Sequence, residues 1–497
     1  MTSIPESFAS LDLGSNSFHM IVASYQDGRL QIIDRLRETV RLASGLDDKG
    51  KLSEESIMSA LDCLERFGQR LREIPKINVR VVGTNTLRKA KNGAKFQKMA
   101  REALGHPIEI VSGVEEARLI FLGVSHAVYN DSETRLVMDI GGGSTEFIIG
   151  QGYQPMRAES LYMGCVGMTK KYFADGEITA KRMKKAILSA KQELESIEKQ
   201  FRRKNWDRAL GASGTILAIH DIVRQSGWSE KGITAASLDK LHDAVIASGK
   251  IDNIQFPSLS DSRRPVLVGG LAVLIASFQS LKIDVMRVSD GALREGLLHD
   301  LIGRFHDEDI RDRTINDMAQ RYSVDIEQAG RVRETALEVF DQVAENWSLD
   351  QKTDRKFIGW AAEIHEIGLS IAHSQYHRHG AYLLANSDMP GFSRQDQVIL
   401  AELVRNHRRK ILTEQEHELF DENRDKIRRL TILLRLAVVL RRSRLMTALP
   451  AINVKVSKNS IRVKFPKNWL EGEPLTSADL ETEAGYLDKV GFELTYQ

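Results

Sequence analysis

A chain of 497 residues, 42% of them apolar, is long enough for several folded domains and can give each a core. Ten prolines leave little room for long disordered linkers, two cysteines make no disulfide framework, and a net charge of +2 singles out no class of partner. No apolar run reaches the roughly 20 residues that span a bilayer, and the opening MTSIPESFASLDLG lacks the basic and apolar regions of a secretory signal, so a reducing cytoplasm is the expected compartment.

In chain order, residues 7–34 read as a β-meander with a loop at 12–17. Ile57, Leu61, Leu64, Phe67 and Leu71 predict a helix over 52–71. Residues 79–83 are a predicted strand that 84–88 turns into a helix; 108–113 are a second strand, followed by a helix from Val114 to Tyr129. The pattern restarts at Leu136. A long charged helix is predicted over 180–203, then a strand running into 210–215, then a strand and helix from Val285. Strands alternating with helices make this part α/β. From 311 to 445 the segments are helix-patterned and nearly free of strand signals. Beyond them Ile452, Val454 and Val456 alternate with polar residues, Lys458-Asn459 turns, and Ile461, Val463 and Phe465 alternate again. That pattern predicts a β-hairpin, joined by a last strand near 492–496.

Residues 136–150, LVMDIGGGSTEFIIG, carry the strongest local signal. An apolar run ends in Asp139; Gly141, Gly142 and Gly143 follow; Ser144, Thr145 and Glu146 lead into a second apolar run. Glycines let backbone N–H groups approach an anion, and Asp139 and Glu146 are hard oxygen donors of the kind magnesium takes. A plain hairpin would use the same glycines for its turn. A second copy decides between the two readings. Residues 12–23, DLGSNSFHMIVA, align on 139–150 without a gap, Asp12 on Asp139, Gly14 on Gly141 and Ser17 on Ser144. A matched pair is expected of a duplicated architecture whose two phosphate loops face one cleft. One loop is Gly14, Ser15, Asn16 and Ser17; the other runs from Gly141 through Thr145.

Glu116 shares a helical face with Leu119, Ile120 and Val124, which sets a carboxylate near a buried stripe in the first turn of a helix. Burial raises its pKa and the helix N-terminus lowers it, the tuning a general base needs; alternatively both Glu115 and Glu116 only favour the helix dipole. Glu115, three residues before Arg118, is expected to be paired and solvated. Arg88 is a candidate phosphate clamp, because guanidinium forks onto phosphate oxygens. Ser213, Gly214 and Thr215, like Ser289-Asp290-Gly291, sit where a strand meets a helix, a place that suits an anion or an ordinary turn.

Taken together, DLGSNSFHM at 12–20, GTNTLR at 83–88, SGVEEARLIF at 112–121, DIGGGSTE at 139–146, GASGT at 211–215 and SDGALREG at 289–296 resemble one family. It is the exopolyphosphatase / guanosine pentaphosphate phosphohydrolase family, a branch of the actin–hexokinase–heat-shock ATPase superfamily. The resemblance implies two actin-like (ribonuclease H-like) α/β domains at 1–126 and 127–303, an all-α HD-like domain at 304–446 and a small β-rich C-terminal domain at 447–497. It implies that water attacks a terminal phosphate with Glu116 as base and Arg88 beside it, and that Mg2+ is held near Asp139, Glu146 and Asp12. A monovalent cation such as K+ is a further candidate activator. The expected substrate is inorganic polyphosphate, cleaved processively from its end; the alternative is guanosine pentaphosphate (pppGpp), or both. A small-molecule kinase on the same fold is a third reading, for which the sequence offers neither an acceptor pocket nor a base for an alcohol. No nucleic-acid partner is expected, since an aromatic content of 6% leaves few stacking platforms. A cytoplasmic homodimer with no transmembrane segment is expected, with peripheral membrane association a secondary expectation.

An HD-type metal site needs a histidine, a His-Asp doublet and a further aspartate. Here the doublet is His365-Glu366 and residues 331–340 hold no histidine, so no second metal centre is expected. His373, His377 and His379 are read as solvated or anion-contacting. The basic groups around Arg408, Arg409 and Lys410, at Arg428-Arg429 and at Arg441, Arg442 and Arg444, with hairpin lysines Lys455, Lys458 and Lys464, read as a track for a long polyanion or as a solvated face.

Overall fold

The computed structural model describes residues 7–26, 29–47, 49–128, 133–304, 309–411, 424–444 and 449–497. The first six residues, the expected helix end at Tyr129, the end of the helical stretch at Leu445 and the expected boundary at 446/447 lie outside the described residues. The chain forms two compact units, Met1–Asp309 and Ile310–Gln497.

The first unit holds two sheets. One contains β1 (Ser7–Leu13), β2 (Phe18–Gln26), β3 (Arg29–Glu38), β4 (Val79–Gly83) and β5 (Glu109–Ile110) in the order β3-β2-β1-β4-β5. The other contains β6 (Arg135–Ile140), β7 (Thr145–Gln151), β8 (Gln154–Leu161), β9 (Arg208–Ala212), β10 (Ile233–Thr234) and β11 (Val285–Val288) in the order β10-β11-β9-β6-β7-β8. Strand for strand, β6, β7, β8, β9 and β11 repeat β1 to β5: an antiparallel meander beside parallel strands. Registers repeat too. Asp12 lies opposite His19 in the β1–β2 hairpin, and Asp139 opposite Glu146 in β6–β7. In each sheet the aspartate strand also pairs in parallel with the strand that follows the crossover. The duplicated motif is therefore a duplicated topology.

Local chemistry sets the helices between them. Helix Glu54–Leu71 starts at Ser53, whose hydroxyl accepts from Ser56 N at 3.3 Å, and buries the predicted stripe Ile57, Leu61, Leu64, Phe67 and Leu71. The charged helix expected over 180–203 stops at Leu194, where its buried row Met183, Ala186, Ala190 and Leu194 ends. Helix Arg264–Leu281 has no polar face to betray a helical period, and the sequence reading passed over it. It is long and apolar enough to cross a membrane, a property not anticipated from sequence, yet 83% of it is buried as the centre of the second sheet's core.

Helix Leu293–Gly303 returns to the first sheet, where Leu298, Leu301 and Ile302 form a core with Phe8, Ile21 and Ala23. It crosses helix Gly113–Ala127 in backbone contact: a methyl on Gly123 would strike the Ala292 carbonyl, and one on Gly296 the Leu119 carbonyl. A buried ion network spans the crossing. Arg118 Nε lies 2.7 Å from Glu115 Oε2, and Asp300 pairs with both Arg118 and Arg80. Glu115 is thus paired with Arg118 as expected but buried rather than solvated, because a helix 180 residues further on covers it.

In the second unit, helices Ile310–Arg321, Ile326–Val343, Asp354–Ile364, Tyr376–Asn386, Arg394–Asn406 and Arg424–Leu440 carry the chain, with no strand among the described residues from 310 to 444. A sheet of β12 (Asn453–Val456), β13 (Ser460–Lys464) and β14 (Glu493–Tyr496) follows. Between β13 and β14 lies helix Pro474–Asp488, which was not anticipated; it makes the crossover that lets β14 pair parallel to β13. Helical residues such as Val332, Phe340 and Leu433, with Trp347 in the turn after helix Ile326–Val343, share one core with Val454, Val463 and Leu494.

Candidate active site

The two glycine loops meet. A methyl on Gly142 would lie 2.9 Å from Ser15 Cβ and 3.8 Å from Asn16 N, and one on Gly143 would lie 2.5 Å from Asn85 Oδ1. The loops after β1 and β6 and the short helix after β4 therefore converge on one place. Each loop closes in the same way: an added Cβ would meet Ser17 O at 2.9 Å from Gly14 and Ser144 O at 3.2 Å from Gly141. Ser15 accepts from the Thr86 hydroxyl at 2.8 Å, the Asn16 amide donates to Ser17 Oγ at 3.4 Å, and Ser17 and Ser144 are buried. Thr145 differs from the sequence reading. Its hydroxyl donates to the Met163 carbonyl in the interior, so it braces the loop. Neighbouring residues of a strand point to opposite faces, and Glu146 takes the cleft side.

Four carboxylates share this place. Burial first, and then the charge of Glu116, push Asp12 up to about 8 and Asp139 to about 7. Burial, Glu116 and Asp139 hold Glu146 well above its ordinary range, although Ser160 Oγ donates to it at 2.8 Å. Asp12 Oδ1 is buried with no hydrogen-bond partner among the described residues. An orphaned hard oxygen among repelling carboxylates fits a divalent cation. Among the described residues no three His, Cys, Asp or Glu side chains come close enough to cage an ion. Magnesium needs no such cage where phosphate oxygens and water complete its shell.

Glu116 is buried, as its place on the apolar stripe predicts, and its Oε2 accepts from Arg88 Nη1 at 2.7 Å. The same nitrogen donates to Val111 O at 2.9 Å. Two candidates drawn from separate motifs form one ion pair.

The sequence reading missed three arginines. Arg294 Nη1 lies 2.8 Å from His19 Nδ1; arginine can only donate, so Nδ1 accepts and the imidazole is neutral. Burial, then Arg294, Arg37 and Arg263, press His19 down to about 3. Partial burial, then Arg263 and Arg294, lower Arg37. Burial also lowers Arg263, while Cys165 and Asp139 oppose the shift. Guanidiniums that repel one another beside a cleft favour a polyanion. Arg294 lies inside SDGALREG; Arg37 and Arg263 belong to no local pattern.

Of the strand–helix candidates, Ser213 has φ +82 and its hydroxyl accepts from Ile140 N at 3.3 Å and Ile216 N at 3.4 Å. Gly214 abuts the Arg263 guanidinium, which a methyl would displace, and Thr215 is buried. In the second unit the Arg408 guanidinium lies 4.5 Å from the Tyr376 ring centroid, Arg409 (φ +63) offers its carbonyl to Arg435, and Lys410 is exposed. His365 and His407 are buried, each Nδ1 donating to the carbonyl three residues back, at 2.7 and 2.6 Å. His373 is exposed, whereas the Nδ1 of His377 is buried and its ring lies 6.3 Å from that of His407.

Known proteins resemble this chain. The Ppx/GppA phosphatase family matches residues 21–305, and Ppx/GppA phosphatase, domain III, matches residues 310–484. A guanosine-5'-triphosphate,3'-diphosphate pyrophosphatase from Aeromonas hydrophila is 39% identical over 485 residues, covering 98% of this chain and 97% of the relative. A protein of the same name from Vibrio vulnificus is 38% identical over 490 residues, covering 99% and 98%. The solved PPX-GPPA enzyme of Aquifex aeolicus is similar with a TM-score of 0.50 and 26% identity, over 59% of this chain and 98% of that one. An exopolyphosphatase from Cytophaga hutchinsonii, 23% identical with a TM-score of 0.55 over 60% and 98%, shares the fold. With the family matched over more than half its length and relatives aligned almost end to end, this chain belongs to the Ppx/GppA phosphatase family.

Proposed function

We propose that the chain is a phosphoanhydride hydrolase that removes the terminal 5′-phosphate of guanosine 5′-triphosphate 3′-diphosphate. The observation that carries this reading is its near end-to-end identity with two relatives named for that substrate. It reverses the order expected from sequence, where inorganic polyphosphate came first; polyphosphate becomes the second substrate of the same cleft, with Arg408, Arg409 and Lys410 as its candidate track.

Chemically, the reaction joins a water oxygen to the terminal phosphorus as the bridging P–O bond breaks. Glu116 takes the proton of the attacking water, and Arg88 fixes the direction of that carboxylate. Backbone amides of the loops at 14–17 and 141–144 hold the non-bridging oxygens, and Arg37, Arg263 and Arg294 draw the remaining phosphates in. Asp12, Asp139 and Glu146 would hold Mg2+, which when bound supplies positive charge to the terminal phosphate and the leaving oxygen.

Orthophosphate release from pppGpp, long-chain polyphosphate and tripolyphosphate, measured side by side with magnesium, tests the reading. The nucleotide is expected to give the highest kcat/KM. A preference for long-chain polyphosphate would restore the other order, and transfer of phosphate to a sugar in the same assay would favour a kinase.

A further inference from the structure

Arg41 stands in the left-handed region, at φ +54 and ψ +40, a conformation that strains a residue with a Cβ. Its backbone is held there. Arg41 N donates to Asn16 O at 2.8 Å, Ala43 N donates to Ser15 O at 2.8 Å, and the Arg41 carbonyl accepts from Ser44 N at 2.9 Å and Ser44 Oγ at 2.7 Å. Two adjoining bonds thus tie this segment to the first glycine loop. The side chain takes no part in them. It is exposed, makes no capping hydrogen bond and meets no carboxylate among the described residues.

The face it occupies follows from β3, since neighbouring residues of a strand alternate between faces. Leu36, Val40 and Leu42 turn toward the core of the first sheet, and Glu38 pairs with Arg66 of helix Glu54–Leu71. The odd positions 35, 37, 39 and 41 are all exposed. Arg35 Nη2 lies 3.8 Å from Glu295 Oε1, and Arg37 feels Arg263 and Arg294, so this is the face of the cleft arginines. Arg41 extends their row to the glycine loop. Fold stability alone would favour asparagine or glycine at such a backbone; what the strain retains is a guanidinium.

We infer that Arg41 binds the phosphate next to the one removed, its planar fork on that group's non-bridging oxygens. The loop beside it holds the terminal phosphate, and Arg37 lies further along the row toward the remaining ones, so Arg41 stands between the two. The inference rests on the phosphoanhydride reading and deepens it by assigning the new end of the leaving group.

Arg41→Asn tests it, because asparagine suits the backbone and lacks the charge. On pppGpp and on tripolyphosphate KM is expected to rise about tenfold, as for a lost charge-assisted hydrogen bond, with Tm unchanged or higher. Affinity for ppGpp in titration calorimetry is expected to fall by the same factor, because the product keeps that phosphate, while inhibition by orthophosphate stays as it is. Arg41→Lys, which keeps the charge, is expected to recover part of the loss. An unchanged KM, a rise in KM accompanied by a lower Tm, or a weaker orthophosphate inhibition with ppGpp binding intact overturns the inference. A wild-type enzyme inert toward pppGpp but active on tripolyphosphate overturns the nucleotide reading instead, and Arg41 is then judged on tripolyphosphate.

Discussion

Glu116 and Arg88 come from different motifs and meet at 2.7 Å, so each test of one is a test of the pair. Glu116→Gln is expected to lower kcat at least ~100-fold, the usual worth of a general base, while titration calorimetry with ppGpp finds affinity unchanged; retained turnover would remove Glu116 from the mechanism. Arg37→Ala and Arg263→Ala are expected to raise KM about tenfold each and leave kcat nearly intact, as losses of charge-assisted phosphate contacts. The carboxylates predict a pH dependence. Asp12 and Asp139 ordinarily titrate near 3.8 but are raised to about 8 and about 7 in the fold. The metal-free folded state thus keeps protons that the unfolded chain releases. The stability this confers is complete below an unfolded pKa near 4 and is lost as pH rises through 7 to 8. Without metal, Tm should fall between about pH 4 and about pH 8; added Mg2+ should reverse the fall and bind more tightly as pH rises, because it displaces those protons. A Tm that rises across this range without metal would refute the assignment. The paired glycine loops were legible in the sequence because they occur twice. Arg37 and Arg263 were not, because what joins them is a meeting in space of β3 with the start of helix Arg264–Leu281. Thr145 was misread for want of one rule, strand alternation.

Between elements, helices Gly113–Ala127 and Leu293–Gly303 cross in backbone contact. An alanine at Gly123 or Gly296 would press on a carbonyl rather than a flexible side chain, so each substitution is expected to cost about 3 kcal/mol and lower Tm in calorimetry. Asp300→Asn removes the charge of one of the two carboxylates that buried Arg80 and Arg118 share, Glu115 being the other, a loss of ~3 kcal/mol. The β12–β13 hairpin with its clean period of two, and β4 as a short apolar run ending in Gly83, were readable to within a residue or two. Helix Arg264–Leu281 was not, since burial on every side erases the period that marks a helix. Nor could three-residue spacing reveal what covers Glu115.

For the whole molecule, two compact units with their own cores predict two unfolding transitions in calorimetry, and a fragment of 310–497 that melts cooperatively alone. A single transition with an aggregating fragment would contradict this. The α/β class and its duplication were readable from motif order, because the two glycine loops occupy matching places in the two sheets. Substrate choice was not. Loops that bind phosphates are indifferent to what lies beyond them.

Helix Leu293–Gly303 has a consequence in time. During synthesis Phe8, Ile21 and Ala23 leave the ribosome long before Leu298, Leu301 and Ile302, the residues that cover them. At ~5–20 residues per second the first sheet waits on the order of 15 to 55 s with that face bare. A nascent chain stopped before residue 293 should therefore bind chaperones and resist refolding, while one extended past 303 should not.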